Sequence, residues 1–483
     1  MFSQLIKLLL TNRIFWYLGS RYLVMAIQFF ASIFLAVKLG SYHFGIWSFI
    51  ILLISIGSIF NWGIGNAITI FYVQNKEDRE LCNKYIFNSV LLVFITFIPP
   101  LLILGYDRII GIHIFEKYHI GNLIYAIIAT IMLQYLCSFF TNIFRVKNKL
   151  IEIVIQQSFW PICMFLLIFC ASGETLLYCL TYSYTASSLL VVVMFICRRQ
   201  IPWGGTADVG IMKKIAAKGF YLFMYNVCFM LIVFTTKFQI SNFYSVEEFG
   251  YFAFAFTLAQ GIMLLLDSVI FLMFPKMIDM LKGSDTQQII AGITLLRKNY
   301  ILPLHLLFYT VLAASPIFFY FLPQYSKSFK PFVLILCTLI MYSHCFGYNS
   351  YLLAQNKERE FSCIALGALL LNNLLVYIFC ITKCRFEYAI LGTLITYIIY
   401  SFAVNCYAMY CLSEHSIKNY FVQNLPASLL LYMFTLFLTL TDSSAGKFFV
   451  ITLILFIAFN IKRLKELCEN VLTLIHNDKI MNV

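Results

Sequence analysis

Charge is what this sequence has little of. Asp, Glu, Lys and Arg make up 11% of its 483 residues, whereas a soluble domain carries about 25%. With 62% hydrophobic residues and a mean hydropathy of +0.87, the chain has too little polar surface to face water. Its scarce charges fall between apolar runs of about 20 residues, the length that crosses hydrocarbon as a helix. The alternating ten-residue strands of a membrane barrel are absent. The expected class is an all-α polytopic membrane protein.

Other absences narrow the function. The 15 cysteines include no Cys-x-x-Cys pair, and most lie inside apolar runs, where cysteine behaves as a small apolar residue. Neither a disulfide framework nor a metal site is expected, and no cofactor. There is no Asp-x-Asp, and Glu247-Glu248 stands in a short outer loop where solvated charge is the default. No spacing implies a Ser/His/Asp set, so the sequence does not read as an enzyme. A membrane glycan polymerase would carry a large outer loop with functional cations, and no outer loop here exceeds about a dozen residues.

The apolar runs give fourteen spans, at about 14–37, 44–72, 85–106, 121–144, 153–172, 175–197, 219–243, 249–274, 300–322, 331–354, 361–381, 388–411, 425–440 and 447–461. The last two are short for a crossing. The run after the basic lead 1–13 is too long for a signal-peptide core, so the first span is expected to be retained. Counting Lys and Arg in alternate loops gives 24 on the side of both termini and 8 on the other. That bias places both termini in the cytoplasm. The net charge of +13 then reflects topology and anionic headgroups, not nucleic acid.

One phrase is written twice. "HFGIWSFI" at 43–50 and "EFGYFAFA" at 248–255 put Phe44-Gly45 and Phe249-Gly250 205 residues apart. A second match, "KNKLIE" against "QNKERE", puts Asn148 and Asn356 208 apart. Six spans separate the copies, so both have one orientation. The expected organisation is two parallel six-helix lobes, 1–197 and 219–411. A cytoplasmic linker with an amphipathic segment, 198–218, joins them, and an appended helix pair and tail, 412–483, follow. Parallel repeats of this kind mark transporters that hold substrate between lobes.

Ionisable groups inside hydrocarbon are costly to keep, by about 2.5–3.5 kcal/mol on insertion scales. Arg21 lies in span 1, Lys237 in span 7 and Asp267 near the inner end of span 8; Asp267 reads as snorkelling to headgroups. Arg21, Gln28 and Ser32 lie within about 40° on one helical face. Their counterparts at the 205-residue offset are Asn226, Val233 and Lys237. If the two faces line one cleft, Arg21, Gln28, Ser32, Asn226 and Lys237 form a substrate-binding set. The cations then suit a pyrophosphate: Arg as a planar fork, Lys as a movable charge. His344, near the middle of span 10, is a packing histidine or a coupling residue, and His305 is expected at the interface. Pro99-Pro100, Pro161 and Pro316 interrupt spans, and span 2 is expected to bend through Gly63 and Gly65.

The stretches "LGSYHFGIWSFI", "NWGIGNAITIF" and "SVEEFGYFAFAF", with "FPKM" closing span 8, resemble Wzx-type polysaccharide flippases. These belong to the multidrug/oligosaccharidyl-lipid/polysaccharide exporter superfamily. The resemblance implies twelve or fourteen spans in two six-helix lobes. It also implies the flipping of undecaprenyl-pyrophosphate-linked oligosaccharide (an O-antigen, capsule or exopolysaccharide repeat unit) between leaflets of the bacterial cytoplasmic (inner) membrane. The lipid bilayer, a polysaccharide polymerase and chain-length proteins would be its partners. One departure matters: where the family often carries an acidic residue in span 7, this chain reads Thr235-Thr236-Lys237. A multidrug-type cation-coupled exporter is the alternative, and a membrane glycan polymerase or transferase a distant third. Lacking carboxylates in spans 1 and 7, the chain favours an anionic substrate.

The cation bias predicts a labelling pattern. An impermeant thiol reagent, added to cells with a permeabilised outer membrane, should reach Cys384 but not Cys82 or Cys468. Labelling of Cys82 with the inner membrane intact would reverse the orientation.

Overall fold

The structure, a computed structural model, describes residues 13–59, 61–75, 77–98, 101–102, 116–147, 149–198, 206–281, 285–355, 357–382, 384–412, 427–441 and 448–476. Among these every regular element is helical. Seven helices are long and apolar enough to cross a membrane, or eight if a bent pair near residue 345 is one span. The all-helical polytopic class expected from composition is therefore the one observed. Pro99, Pro100, Asn148, Asn356 and the linker glycines 204 and 205 lie outside the described residues, as does the lead 1–12.

The chain divides into two compact units, Met1–Phe254 and Ala255–Val483. The first contains α1 (Arg13–Ile59), α2 (Ile64–Gln74), α3 (Arg79–Ile95), α4 (Ile124–Val146), α5 (Leu150–Cys170), α6 (Gly173–Cys197), α7 (Val209–Phe243) and the opening turns of α8 (Val246–Leu281). α1 is 47 residues long, about 70 Å at 1.5 Å per residue and more than twice a hydrocarbon core. It is two spans joined at Gly40, whose φ of 69° and ψ of 172° no residue with a Cβ adopts readily.

The bend expected in span 2 is present. Trp62 and Gly63 both have positive φ, and Asn61 Oδ1 accepts a hydrogen bond from Gly63 N at 3.1 Å, an Asx turn that restarts the chain as α2. Gly65 instead permits close packing, because a Cβ there would run into the Asn142 amide of α4. α7 is a correction. The amphipathic segment assigned to the linker 198–218 is continuous with span 7, in one helix of 35 residues from Val209 to Phe243. Its start is fixed by Asp208, whose Oδ1 accepts from Gly210 N at 2.7 Å and Ile211 N at 3.1 Å. Asn88 of α3 then pins that cap, accepting from Asp208 N at 2.8 Å and donating to Thr206 O at 3.2 Å.

The repeated phrase turns out to be a contact within the first unit. α1 and the opening of α8 cross with Gly45 against Gly250. A Cβ on Gly45 would overlap the Val246 carbonyl oxygen and stand 3.2 Å from Gly250 N. A Cβ on Gly250 would overlap the Ser41 carbonyl oxygen and stand 3.2 Å from Gly45 N. Val246 and Ser41 each precede their glycine by four residues, so the crossing is symmetric. The rings beside it obey the same symmetry. Phe44 meets Phe254 edge-on at 6.2 Å, and Phe49 meets Phe249 edge-on at 6.4 Å; a shift of 205 residues exchanges the two pairs. Tyr118 stacks on Phe49 at 4.0 Å and donates to Ser241 O at 2.9 Å. Its neighbour Lys117 donates to Ser241 O at 2.6 Å, Asn242 O at 3.1 Å and Tyr244 O, capping the last carbonyls of α7. Burial lowers the Lys117 amine pKa, with Glu248 opposing the shift.

The second unit holds the remainder of α8, with α9 (Thr286–Tyr320), α10 (Phe329–Ser343), α11 (Tyr348–Ala354), α12 (Glu358–Ile381), α13 (Phe386–Cys411), α14 (Ala427–Thr441) and α15 (Phe449–His476). α12 and α13 form a hairpin, α13 and α14 pack on α10, and α15 packs along α9. α9 starts at Thr286, ahead of the expected span, on an Asp285 cap that accepts from Gln287 N at 3.0 Å. The 15 residues of α14 are short for a crossing. α15 runs past the expected end at 461, and its exposed Glu466 meets Lys298 of α9 at 2.7 Å. That ammonium lowers the Glu466 carboxyl pKa. Cys82 is only 3% exposed, with its thiol toward Asn75 O at 3.1 Å. Its silence to a thiol reagent would report burial as well as sidedness, so half-exposed Lys84→Cys is the better inner marker.

The crossing predicts a steep cost for one methyl group. Gly45→Ala and Gly250→Ala should each destabilise the protein by about 1–3 kcal/mol, read as a lower melting temperature in detergent. Gly367→Ala, where nothing lies within 4 Å of an added Cβ, should leave it unchanged or raise it. Equal tolerance at all three positions would contradict the backbone contact.

Candidate functional site

The sequence-predicted set is only partly visible as side chains. Arg21 and Asn226 fall on α1 and α7, but their side chains lie outside the described residues, as does that of Asp267. Ser32 Oγ donates to its own helix at Gln28 O, 2.8 Å away. Lys237 is half-buried on α7, and the flanking Thr235 and Thr236 hydroxyls bond back to carbonyls of α7. Gln28 is the member that leads somewhere.

It stands at the open side of a cavity of about 150 Å³ inside the first unit. α1, α4, α5 and α6 border this half-open space. α4 contributes Gln134, α5 contributes Gln156, Gln157 and Trp160, and α6 contributes Tyr184, Ser187 and Ser188. Thr141 donates to Gln156 Oε1 at 2.5 Å, and Gln134 Nε2 donates to Ser188 Oγ at 3.0 Å. Tyr184 stacks on Trp160 at 4.4 Å, and Trp47 lies at 5.9 Å from the same indole. The indole is thus packed against two rings and also lines the cavity. No carboxylate, ammonium or guanidinium group is among the lining residues. Such a site can exchange hydrogen bonds with a neutral polar ligand, but it has no charge with which to hold an ion. Apart from Gln28, sequence reading missed these residues. The available signal was the unpaired amide doublet Gln156-Gln157 inside an apolar run.

His344 belongs to a separate cluster in the second unit. The helix of span 10 breaks after Ser343 and resumes at Tyr348 with a bend of 44°; Gly347, with φ of 89°, makes the break. The freed carbonyls are capped by Arg297 of α9, which is 8% exposed. Its Nη1 donates to His344 O at 2.7 Å and Phe346 O at 2.9 Å, and its guanidinium lies 4.7 Å from the Tyr348 ring centre. Asn405 Nδ2 also donates to His344 O, at 3.3 Å. The imidazoles of His305 and His344 meet Nε2 to Nε2 at 3.0 Å, so one donates and the other accepts.

Two expectations are corrected here. Arg297, counted among the loop cations, is buried, and His305, expected at the interface, is 1% exposed. In both cases α9 extends further toward the N-terminus than the hydropathy of span 9 indicated, which draws its early residues into the bundle.

No family model and no curated protein matches this sequence. Solved structures do match in fold. The lipid II flippase MurJ, in an inward closed conformation, is 16% identical, with a TM-score of 0.70 over 94% of this chain and 99% of that one. A multidrug resistance MATE transporter of the MOP superfamily, inward-facing, is 11% identical, with a TM-score of 0.63 over 80% and 94%. A MOP superfamily transporter from Pyrococcus furiosus, described by the reversed polarity of its binding pocket, is 12% identical, with a TM-score of 0.53 over 82% and 95%. The chain has the fold of the MOP superfamily transporters.

The Arg297 staple carries a prediction. Arg297→Met keeps an apolar stem but takes the donor from Phe346 O and leaves His344 O only the longer bond from Asn405 Nδ2. It should cost about 2–3 kcal/mol and lower the melting temperature, with Arg297→Lys recovering part of the loss. An unchanged melting temperature in Arg297→Met would show that the break holds without it.

Proposed function

We propose that this protein is a flippase that moves an oligosaccharide, carried on undecaprenyl pyrophosphate, from the inner to the outer leaflet of the bacterial cytoplasmic membrane by alternating access. Both termini are cytoplasmic in this reading. The observation that carries it is the cavity of about 150 Å³ lined by uncharged amides, hydroxyls and aromatic rings, with no carboxylate. An exporter of organic cations needs a negative group to offset the ligand's desolvated charge, and neither the cavity nor spans 1 and 7 supply one. Arg21 shares a helical face with Gln28, and Lys237 stands on the counterpart face of α7. In this reading Arg21 receives the pyrophosphate near the cytoplasmic side and Lys237 holds it nearer the outside. A multidrug exporter is the second reading, favoured by the fold likeness to a MATE transporter. A polymerase and chain-length proteins would act on the product once it is outside.

Deleting the gene tests this directly. The deletion should accumulate a lipid-linked oligosaccharide and lose surface glycan without gaining sensitivity to organic cations. In the complemented strain, Arg21→Gln and Lys237→Gln, at matched protein levels, should each reduce export at least fivefold. Drug sensitivity without accumulated glycolipid would favour the exporter. Unimpaired export in both variants would reject the two cations as pyrophosphate ligands.

A further inference from the structure

We propose that the half-open cavity bordered by α1, α4, α5 and α6 is a binding subsite for one uncharged sugar ring, recognised through its hydroxyl groups. The inference rests on the glycan reading above and goes further, because it separates the part of the substrate held here from the part held by cations.

The argument begins with groups left without protein partners. Within this cavity the amides of Gln28 and Gln157, the Trp160 indole N–H and the Tyr184 hydroxyl make no hydrogen bond among the described residues. Gln156 uses its Oε1 but not its Nε2, and Gln134 uses its Nε2 but not its Oε1. Elsewhere in the spans, hydroxyls turn back to carbonyls of their own helices, as at Thr69, Thr130 and Thr181. Gln28 is exposed and the other five residues are half-buried, so these groups face a recess open to water. Six of them around one space offer hydrogen bonds to an occupant that donates and accepts in turn.

The chemistry of the occupant follows from the lining. A sugar hydroxyl is both donor and acceptor, and a primary amide offers an acceptor and a donor side by side, so one Gln can engage two adjacent hydroxyls. The absence of charge in the lining disfavours the pyrophosphate, which would lose its hydration without gaining a counterion. A volume of about 150 Å³ holds about five waters at 30 Å³ each, or one six-membered ring with its substituents. Trp160 already stacks on Tyr184, and its indole N–H is left as a donor for the occupant. Recognition of this kind reads hydroxyl configuration: a site built to bond a hydroxyl strongly rejects the analogue that lacks it.

The test uses the full-length protein in lipid nanodiscs, titrated calorimetrically with free glucose, galactose, mannose, N-acetylglucosamine, N-acetylgalactosamine and rhamnose. At least one should bind saturably in the millimolar range, and its deoxy analogue should bind at least tenfold more weakly. Gln157→Leu should weaken binding at least tenfold. Trp160→Phe keeps the ring stack but removes the N–H, and should weaken it several-fold; it carries the test if Gln157→Leu fails to fold. Absence of saturable binding by every sugar, or affinity indifferent to both substitutions, would overturn the proposal and leave the cavity to water. The two readings fail separately. If the deletion strain accumulates glycolipid but no sugar binds, the subsite falls and the flippase stands. If a sugar binds through Gln157 but no glycolipid accumulates, the subsite stands and the lipid-linked substrate falls.

Discussion

Inside hydrocarbon a polar group has no water to turn to, and each unmatched donor or acceptor costs several kcal/mol. Most of this structure follows from that constraint. It makes the described elements helical, and it turns the hydroxyls of Ser58, Thr69, Ser158 and Thr338 onto carbonyls one turn back. It also explains the placement of Arg297, which closes the carbonyls exposed where α10 gives way to α11. Lys117, ahead of α4, closes the carbonyl end of α7. The glutamine-lined cavity departs from the pattern, and the functional reading is built on that departure.

Close backbone packing is the second organising element. Helices in a bilayer gain little from burying apolar side chains against each other, since lipid is as apolar as leucine. Small residues let them approach instead. Gly45 and Gly250 bring α1 and α8 within backbone contact, and the paired phenylalanines fill the space on either side of the crossing. The same two dipeptides are the clearest repeat in the sequence. A repeat that meets its own copy explains why both members carry glycine followed by aromatic residues.

Much of the fold was legible because hydropathy and glycine act locally. The polytopic class and the bend at Gly63 came from short stretches whose consequences are fixed within a turn or two, whereas the Phe-Gly phrase was read as a mark of two lobes and its backbone contact was not foreseen. What escaped was non-local. The continuity of α7 across the amphipathic segment depends on Asn88 of α3 reaching the Asp208 cap. The burial of Arg297 depends on a helix break 47 residues away. The cavity escaped for the same reason. A glutamine in an apolar run reads as a tolerated polar residue until two other helices bring further amides to the same space. Of the site named from sequence, Gln28 reaches the cavity, whereas Ser32 bonds to its own helix.

The central claim is that the unmatched polar groups of the cavity exist for a sugar. Its most direct measurement is a structure of the full-length protein in nanodiscs, bound to an oligosaccharide on undecaprenyl pyrophosphate. The account predicts a sugar ring inside the cavity, within hydrogen-bonding distance of the Gln157 amide and Trp160 Nε1, with the pyrophosphate outside it. A bound glycolipid whose sugars all lie elsewhere, with only water between Gln28, Gln134 and Gln157, would contradict it.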